Sequence, residues 1–143
     1  MKLTPIETGN LKLDGGAMFG VIPKVLWSKV YQADENNLAN WSMRCLLIEE
    51  GDRKILIDNG IGNKQGEKFL KHYYLNGDDT LKNSLAKAGV KPEEITDMLL
   101  THMHFDHCGG SVNRNNNKTG FELAFPNATY WVSKQQYECA THP

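Results

Sequence analysis

Two apolar runs, Met43-Arg44-Cys45-Leu46-Leu47-Ile48 and Lys54-Ile55-Leu56-Ile57-Asp58, flank the polar stretch Glu50-Gly51-Asp52-Arg53. Strand-forming runs separated by turn residues predict an antiparallel hairpin. The second run stops at Asp58-Asn59-Gly60-Ile61-Gly62, where glycines permit backbone conformations that a continuing strand does not use. A catalytic residue, or one that supports it, suits such a strand end.

Further along, Leu81, Leu85 and Ala88 recur at i, i+4 and i+7. This spacing predicts a helix opened by Asp79 as N-cap and closed by Gly89, with Leu81 and Leu85 turned toward the sheet. Pro92-Glu93-Glu94-Ile95 reads as one short helical turn, and Asp97-Met98-Leu99-Leu100-Thr101 as a buried strand. The polar segment Asn113–Gly120 has no periodicity and reads as a loop. Thr129-Tyr130-Trp131-Val132 reads as a strand, and Ser133 can N-cap a last helix over residues 134–140. Hairpin, helix and strand in this order point to a mixed α/β layered fold.

The chain has 143 residues, of which 40% are hydrophobic and 23% charged, the usual profile of a folded soluble domain. Sixteen basic residues stand against 17 acidic ones, a net charge of −1, which excludes the concentrated positive field of a nucleic-acid binder. Cys45, Cys108 and Cys139 are odd in number and widely spaced, so they form neither a disulfide framework nor a C-x-x-C metal knuckle. The N-terminus shows no apolar leader-like stretch, and no window approaches the roughly 18 apolar residues of a membrane span. The expectation is a cytoplasmic protein with no membrane partner.

The candidate chemistry lies at His102, His104, Asp106 and His107, four potential metal ligands within six residues. In extended backbone, residues i and i+2 share a face, so His102 and His104 can grip one ion together where the Leu99-Leu100-Thr101 strand ends. Asp106 and His107 suit a turn and can bind a second ion, after which Gly109 and Gly110 let the chain bend tightly. Two ions about 3.5–4 Å apart can clamp a water that ionises near neutral pH. Neither an H-E-x-x-H helix nor a G-x-S-x-G elbow offers another hydrolytic route. His72 and His142 stand apart in sequence, His72 reading as a surface or packing residue, and Gly60-Ile61-Gly62 with Gly66 fails the G-x-G-x-x-G spacing of a phosphate loop.

The segment Thr101-His102-Met103-His104-Phe105-Asp106-His107-Cys108-Gly109-Gly110 resembles the T-H-x-H-x-D-H-x-G-G signature of the metallo-β-lactamase superfamily. Ile55-Leu56-Ile57-Asp58-Asn59-Gly60 is similar to that family's earlier strand ending in Asp-x-Gly. The resemblance implies an αβ/βα sandwich, a mixed sheet with flanking helices. Residues 1–143 would be the N-terminal part of a single such domain, without its C-terminal half. It implies two divalent metal ions, zinc first, with manganese or iron as alternatives. His102 and His104 would hold one ion, and Asp106 and His107 the other. Asp106 would also handle a proton as the leaving group departs, and Asp58 would orient a ligand histidine, unless it is a plain turn residue. Leu13-Asp14-Gly15-Gly16-Ala17-Met18-Phe19-Gly20, followed by Pro23-Lys24 and Trp27, is similar to the branch of quorum-quenching lactonases and organophosphate-hydrolase relatives. There Met18 and Phe19 would form either an apolar lip for substrate or ordinary core.

The implied activity is hydrolysis of a small-molecule lactone or ester by a metal-bridged hydroxide. Thioester hydrolysis of the glyoxalase II kind and phosphodiester cleavage are the alternatives within the enzyme class. From another class comes a catalytically incomplete fragment or binding remnant, because the family pattern adds a further histidine, a bridging aspartate and a last histidine downstream. Exposed apolar sheet surface would then favour a homo-oligomer, or association with a chain that supplies the missing half.

Overall fold

The computed structural model describes residues 1–115, 117 and 119–142. Strand β1 (Lys2–Asp14) leads through two short helical turns, α1 (Gly15–Phe19) and α2 (Lys24–Trp27), to β2 (Leu38–Glu50) and β3 (Arg53–Ile57). After α3 (Glu67–Leu70) come α4 (Leu81–Lys87), β4 (Asp97–Leu99) and α5 (Phe105–Cys108). A small hairpin of β5 (Val112–Arg114) and β6 (Phe121–Leu123) precedes β7 (Thr129–Trp131) and α6 (Lys134–Thr141). The main sheet runs β1-β2-β3-β4-β7, antiparallel through β3 and parallel from β3 to β7. It is a mixed sheet with flanking helices, as the resemblance implies.

The expected hairpin is β2–β3, with Leu46 opposite Ile57 and Ile48 opposite Ile55. Strand β1 was not foreseen. Pro5 interrupts its donors and the register shifts between Glu7 and Asn10, where Gly9 takes φ +100°. Both features are tolerated because β1 lies at the edge of the sheet, where a missing ladder donor can face away from the neighbouring strand.

Alternation along the strands separates two faces. Ile6, Cys45, Leu47, Leu56 and Met98 point to one side and are buried with Leu85 of α4, Val90, Ile95 and Phe125. Truncating a side chain in such a cluster to alanine typically costs about 2–5 kcal/mol. Leu46, Ile48, Ile55 and Ile57 point to the other side and are half-buried, while Leu99 and Trp131 on that face are 38% and 52% exposed.

Three local expectations need correction. Helix α4 is capped by Thr80, whose hydroxyl accepts from the Asn83 N–H at 3.2 Å, while Asp79 pairs with Lys87 at 2.8 Å instead. The shorter Thr side chain sits one residue nearer the first turn, and Gly89 at φ +77° ends the helix as expected. The polar segment 113–120 is not wholly loop, because Asn113 and Arg114 belong to β5, opposite Glu122 and Phe121. Cross-strand pairing outweighs their polarity, and the Asn115 side-chain oxygen caps the turn by accepting from the N–H groups of Thr119 and Gly120. Asn116 and Lys118 of that expected loop, and Pro143, lie outside the described residues. Finally, Gly109 and Gly110 are not bent into left-handed backbone. A Cβ on Gly109 would land on the Ile61 carbonyl and one on Gly110 on the Asn59 carbonyl, so these glycines serve close packing of two loops.

Candidate metal centre

Strands β3 and β4 run parallel, so their C-terminal ends emerge side by side. Asp58 follows β3 and Thr101 follows β4, and the carboxylate crosses between them. Its Oδ1 accepts the Thr101 backbone N–H at 2.9 Å, and its Oδ2 accepts the Thr101 hydroxyl at 2.7 Å. Oδ2 also lies 2.8 Å from His107 Nδ1. Asp58 is buried and adopts φ +57°, a left-handed conformation that aspartate tolerates better than most residues. The strained turn aims its side chain back into the site, and the Asn59 N–H donates to the His107 carbonyl at 2.9 Å.

These bonds set the tautomers of two imidazoles. A carboxylate only accepts, so His107 donates through Nδ1 and leaves the lone pair on Nε2. The Thr101 hydroxyl spends its one hydrogen on Asp58, so toward His102 Nδ1, 3.0 Å away, its oxygen accepts. His102 is therefore also protonated at Nδ1 with a free Nε2. Burial pushes the pKa of His102 below the usual value, and the neighbouring His107 and His104 imidazoles add to the shift. The neutral form that ligates metal is thus favoured.

The ring of His102 lies 4.0 Å from that of His107 and 4.7 Å from that of His104, centroid to centroid. Asp106 Oδ2 lies 3.6 Å from His107 Nε2, both held on the helical turn α5. The structure thus gathers all four motif residues and Asp58 beyond the C-terminal ends of β3 and β4. As the side chains stand, no three His, Cys, Asp or Glu groups among the described residues converge closely enough to enclose an ion. The fit is one of donor type and protonation: neutral imidazole nitrogens beside a carboxylate suit a divalent ion of the zinc, manganese or iron kind.

A cavity of about 180 Å³ adjoins this cluster. Asp58, Asp106 and His107 line it together with Ser42 and Arg44, and Leu11, Leu13, Met18, Trp41 and Met43 supply its apolar lining. Met18 and Phe19 part company here. Met18 lines the cavity, whereas Phe19 stacks on Trp27 with ring centroids 4.7 Å apart. The sequence reading missed Trp41 and Met43, whose strand pattern marked only β2. It also missed the packed trio Phe69, Tyr73 and Phe105, for which the aromatic residue inside the histidine motif was the available signal. Cys45 is buried, and burial pushes its thiol up to about 12. Cys108 is likewise raised by burial and donates to the Met103 carbonyl, so neither thiol is an activated nucleophile. His72 and His142 are exposed.

Residues 43–113, covering β2 through the histidine motif, match the family model of the metallo-β-lactamase superfamily. The chain belongs to that superfamily. Its fold superimposes on a structure described as a probable metal-dependent hydrolase from Staphylococcus aureus, with TM-score 0.88 and 36% identity over 99% of this chain. It is also similar to AidC, a dizinc quorum-quenching lactonase, with TM-score 0.73 and 26% identity over 99% of the chain. An N-acyl homoserine lactonase of Bacillus cereus is 27% identical over 116 residues, 74% of this chain. The match covers 50%, 44% and 42% of those three proteins, so this superfamily member spans about half the length of its relatives or less. No helix among the described residues is long and apolar enough to cross a membrane.

Proposed function

We infer that the protein is part of a metal-dependent hydrolase acting on a lactone or ester, with His102, His104, Asp106 and His107 as the ligands this chain contributes. The reading rests above all on the Asp58 carboxylate, which with Thr101 leaves a free Nε2 on both His102 and His107. The named lactonase relatives supply the substrate class, a carbonyl ester closed in a ring.

A pair of divalent ions supplies Lewis-acid polarisation of the carbonyl and brings the ionisation of water toward neutral pH. The chain's own residues do the rest. Asp58 and Thr101 hold the imidazoles in the ligating tautomer and keep their rings from turning. Asp106, which lines the cavity, is placed to take up the proton released by the attacking water and pass it to the departing alkoxide. Leu11, Leu13, Met18, Trp41 and Met43 present an apolar wall to the part of the substrate that does not react, which limits the water around the carbonyl.

Metal content and turnover test the reading. After dialysis against chelator and reloading with zinc, the protein should bind metal in proportion to the chain, and His102→Ala and His104→Ala should each lower that content. Lactone hydrolysis by the protein that carries these residues, in its working assembly, should rise with reloading. Metal content unchanged by both substitutions would sink the proposal.

A further inference from the structure

The turn that carries Asp106 and His107 is too short to hold its own shape. Helix α5 has four residues, Phe105–Cys108, and a helix of that length is not stable in isolation. Its N-terminal side is tied by the His107 and Cys108 N–H groups, which both donate to the His104 carbonyl at 3.0 Å. Its C-terminal side runs into Gly109 and Gly110, whose backbone is pressed against the loop after β3. There the Gly110 N–H donates to the Gly60 carbonyl at 2.9 Å. The Lys64 ammonium, from the same loop, donates to the carbonyl of Gly109, the residue directly after α5.

Lys64 is itself held from the other side. Its backbone carbonyl accepts from Arg114 Nε at 2.9 Å, and the Arg114 guanidinium lies over the Phe121 ring at 5.2 Å. The β5–β6 hairpin thus fixes residue 64, and the Lys64 side chain reaches back to the metal loop. A surface lysine ordinarily keeps its ammonium in water. This one is half-buried, and burial pushes its pKa below the usual value, with the Cys108 thiol acting in the opposite sense. Among the described residues no carboxylate lies within 4.0 Å of the Lys64 ammonium to offset that burial. Its acceptor is a backbone carbonyl of the metal loop.

A half-buried charge is a costly way to fill space, since an unbranched apolar side chain would pack there without desolvating an ammonium. What the ammonium adds is a charge-assisted hydrogen bond, stronger than a neutral one. That bond falls two residues from His107, whose own carbonyl accepts the Asn59 N–H at 2.9 Å. Asn59, Gly60 and Lys64 therefore grip the segment 107–110 at three points, and only Lys64 does so through a side chain. We propose that Lys64 is a positioning residue of the metal centre, fixing the turn that carries Asp106 and His107 through the Gly109 carbonyl. The inference rests on the reading of His102, His104, Asp106 and His107 as metal ligands, and adds to them a residue from outside the histidine motif. Lys64 acts at one remove: it holds Asp106 and His107 in place beside the His102 ring, 4.0 Å from that of His107.

Hydrogen exchange and cobalt binding decide it, without recourse to turnover. Lys64→Met keeps an unbranched stem and removes the donor, whereas Lys64→Arg keeps a donor. In the metal-free protein, Lys64→Met should speed exchange of the Asn59 and Gly110 amides at least about tenfold and leave those of Leu47 and Leu56, in the central strands, unchanged. Cobalt(II) is the probe ion, because its visible bands report the geometry of its ligands. Its affinity should fall about tenfold in Lys64→Met, with the bands shifted, and Lys64→Arg should restore exchange, affinity and bands together. Unchanged exchange at Asn59 and Gly110 overturns the proposal, as does faster exchange with cobalt affinity and bands intact, which would leave Lys64 a packing residue. Equal acceleration at Leu47 and Leu56 overturns it too, since the loss would then be one of general stability, and so does an arginine variant that behaves like the methionine one. Wild-type protein that takes up no cobalt sinks the reading of the site itself, whereas a cobalt-binding wild type matched by Lys64→Met sinks this inference alone.

Discussion

Oδ2 of Asp58 stands 2.8 Å from Nδ1 of His107, although the two residues are 49 positions apart in the chain. Asp58→Asn isolates what this carboxylate does. Asparagine keeps the shape and tolerates the left-handed φ of position 58, so the backbone has no reason to move. The amide can no longer accept from His107, the Thr101 hydroxyl and the Thr101 N–H together. Divalent metal affinity, measured by competition against a chromogenic chelator, should fall about 10–100-fold. An unchanged affinity would reduce Asp58 to a turn residue.

Thr101 extends the same control to His102. Removing the hydroxyl with Thr101→Val deletes the acceptor for His102 Nδ1–H, and the ring becomes free to exchange tautomers. Nitrogen-15 chemical shifts of His102 should move toward a mixture of the two neutral forms, with metal affinity falling about tenfold. Thr101→Ser should restore both. A valine variant with wild-type shifts would show that the ring is oriented by packing alone.

Gly110 reports on how tightly the metal loop is pressed against the end of β3. Its backbone conformation is open to any residue, but a Cβ would meet the Asn59 carbonyl oxygen. Gly110→Ala should therefore destabilise the fold by about 1–3 kcal/mol in urea unfolding. Gly66→Ala is the comparison, since a Cβ there meets nothing within 4 Å, and it should cost under about 1 kcal/mol. Equal costs would place the effect in the unfolded chain instead of the packed loops.

What was legible in the sequence followed distance along the chain. The β2–β3 hairpin, α4, β4 and α6 each show local periodicity or caps, and the spacing of His102, His104, Asp106 and His107 needs only one strand end and one turn. Strand β1 escaped because its alternation breaks at Gly9 and Pro5 sits within it, and only pairing with β2 makes it a strand. The same holds for β5, whose polar Asn113 and Arg114 are ordered by β6. The hydroxyl bridge from Asp58 to His102 through Thr101 escaped for a related reason: it exists only where β3 and β4 run parallel and end together.

Asp97 gives the fold a measurable acid response. It accepts from Arg53 at 2.8 and 3.2 Å, from the Thr96 hydroxyl at 2.7 Å and from Trp131 Nε1 at 2.9 Å, tying β3 and β7 to β4. The Arg53 bonds first, then that of Thr96, pull its pKa from 3.8 down to about 2, against the opposing effect of burial. A carboxyl whose folded pKa lies below its unfolded one stabilises the fold at higher pH. The contribution is complete above about pH 4 and is lost as the pH falls toward 2. Arg53 is 61% exposed on its side chain, so solvent screening holds the effect to about 1–2 kcal/mol. Asp97→Asn should lower unfolding stability by that amount at pH 7, and the gap to wild type should close between about pH 4 and pH 2. A gap of the same size at both ends would assign the loss to altered packing of Trp131 and Thr96, with no part for the charge.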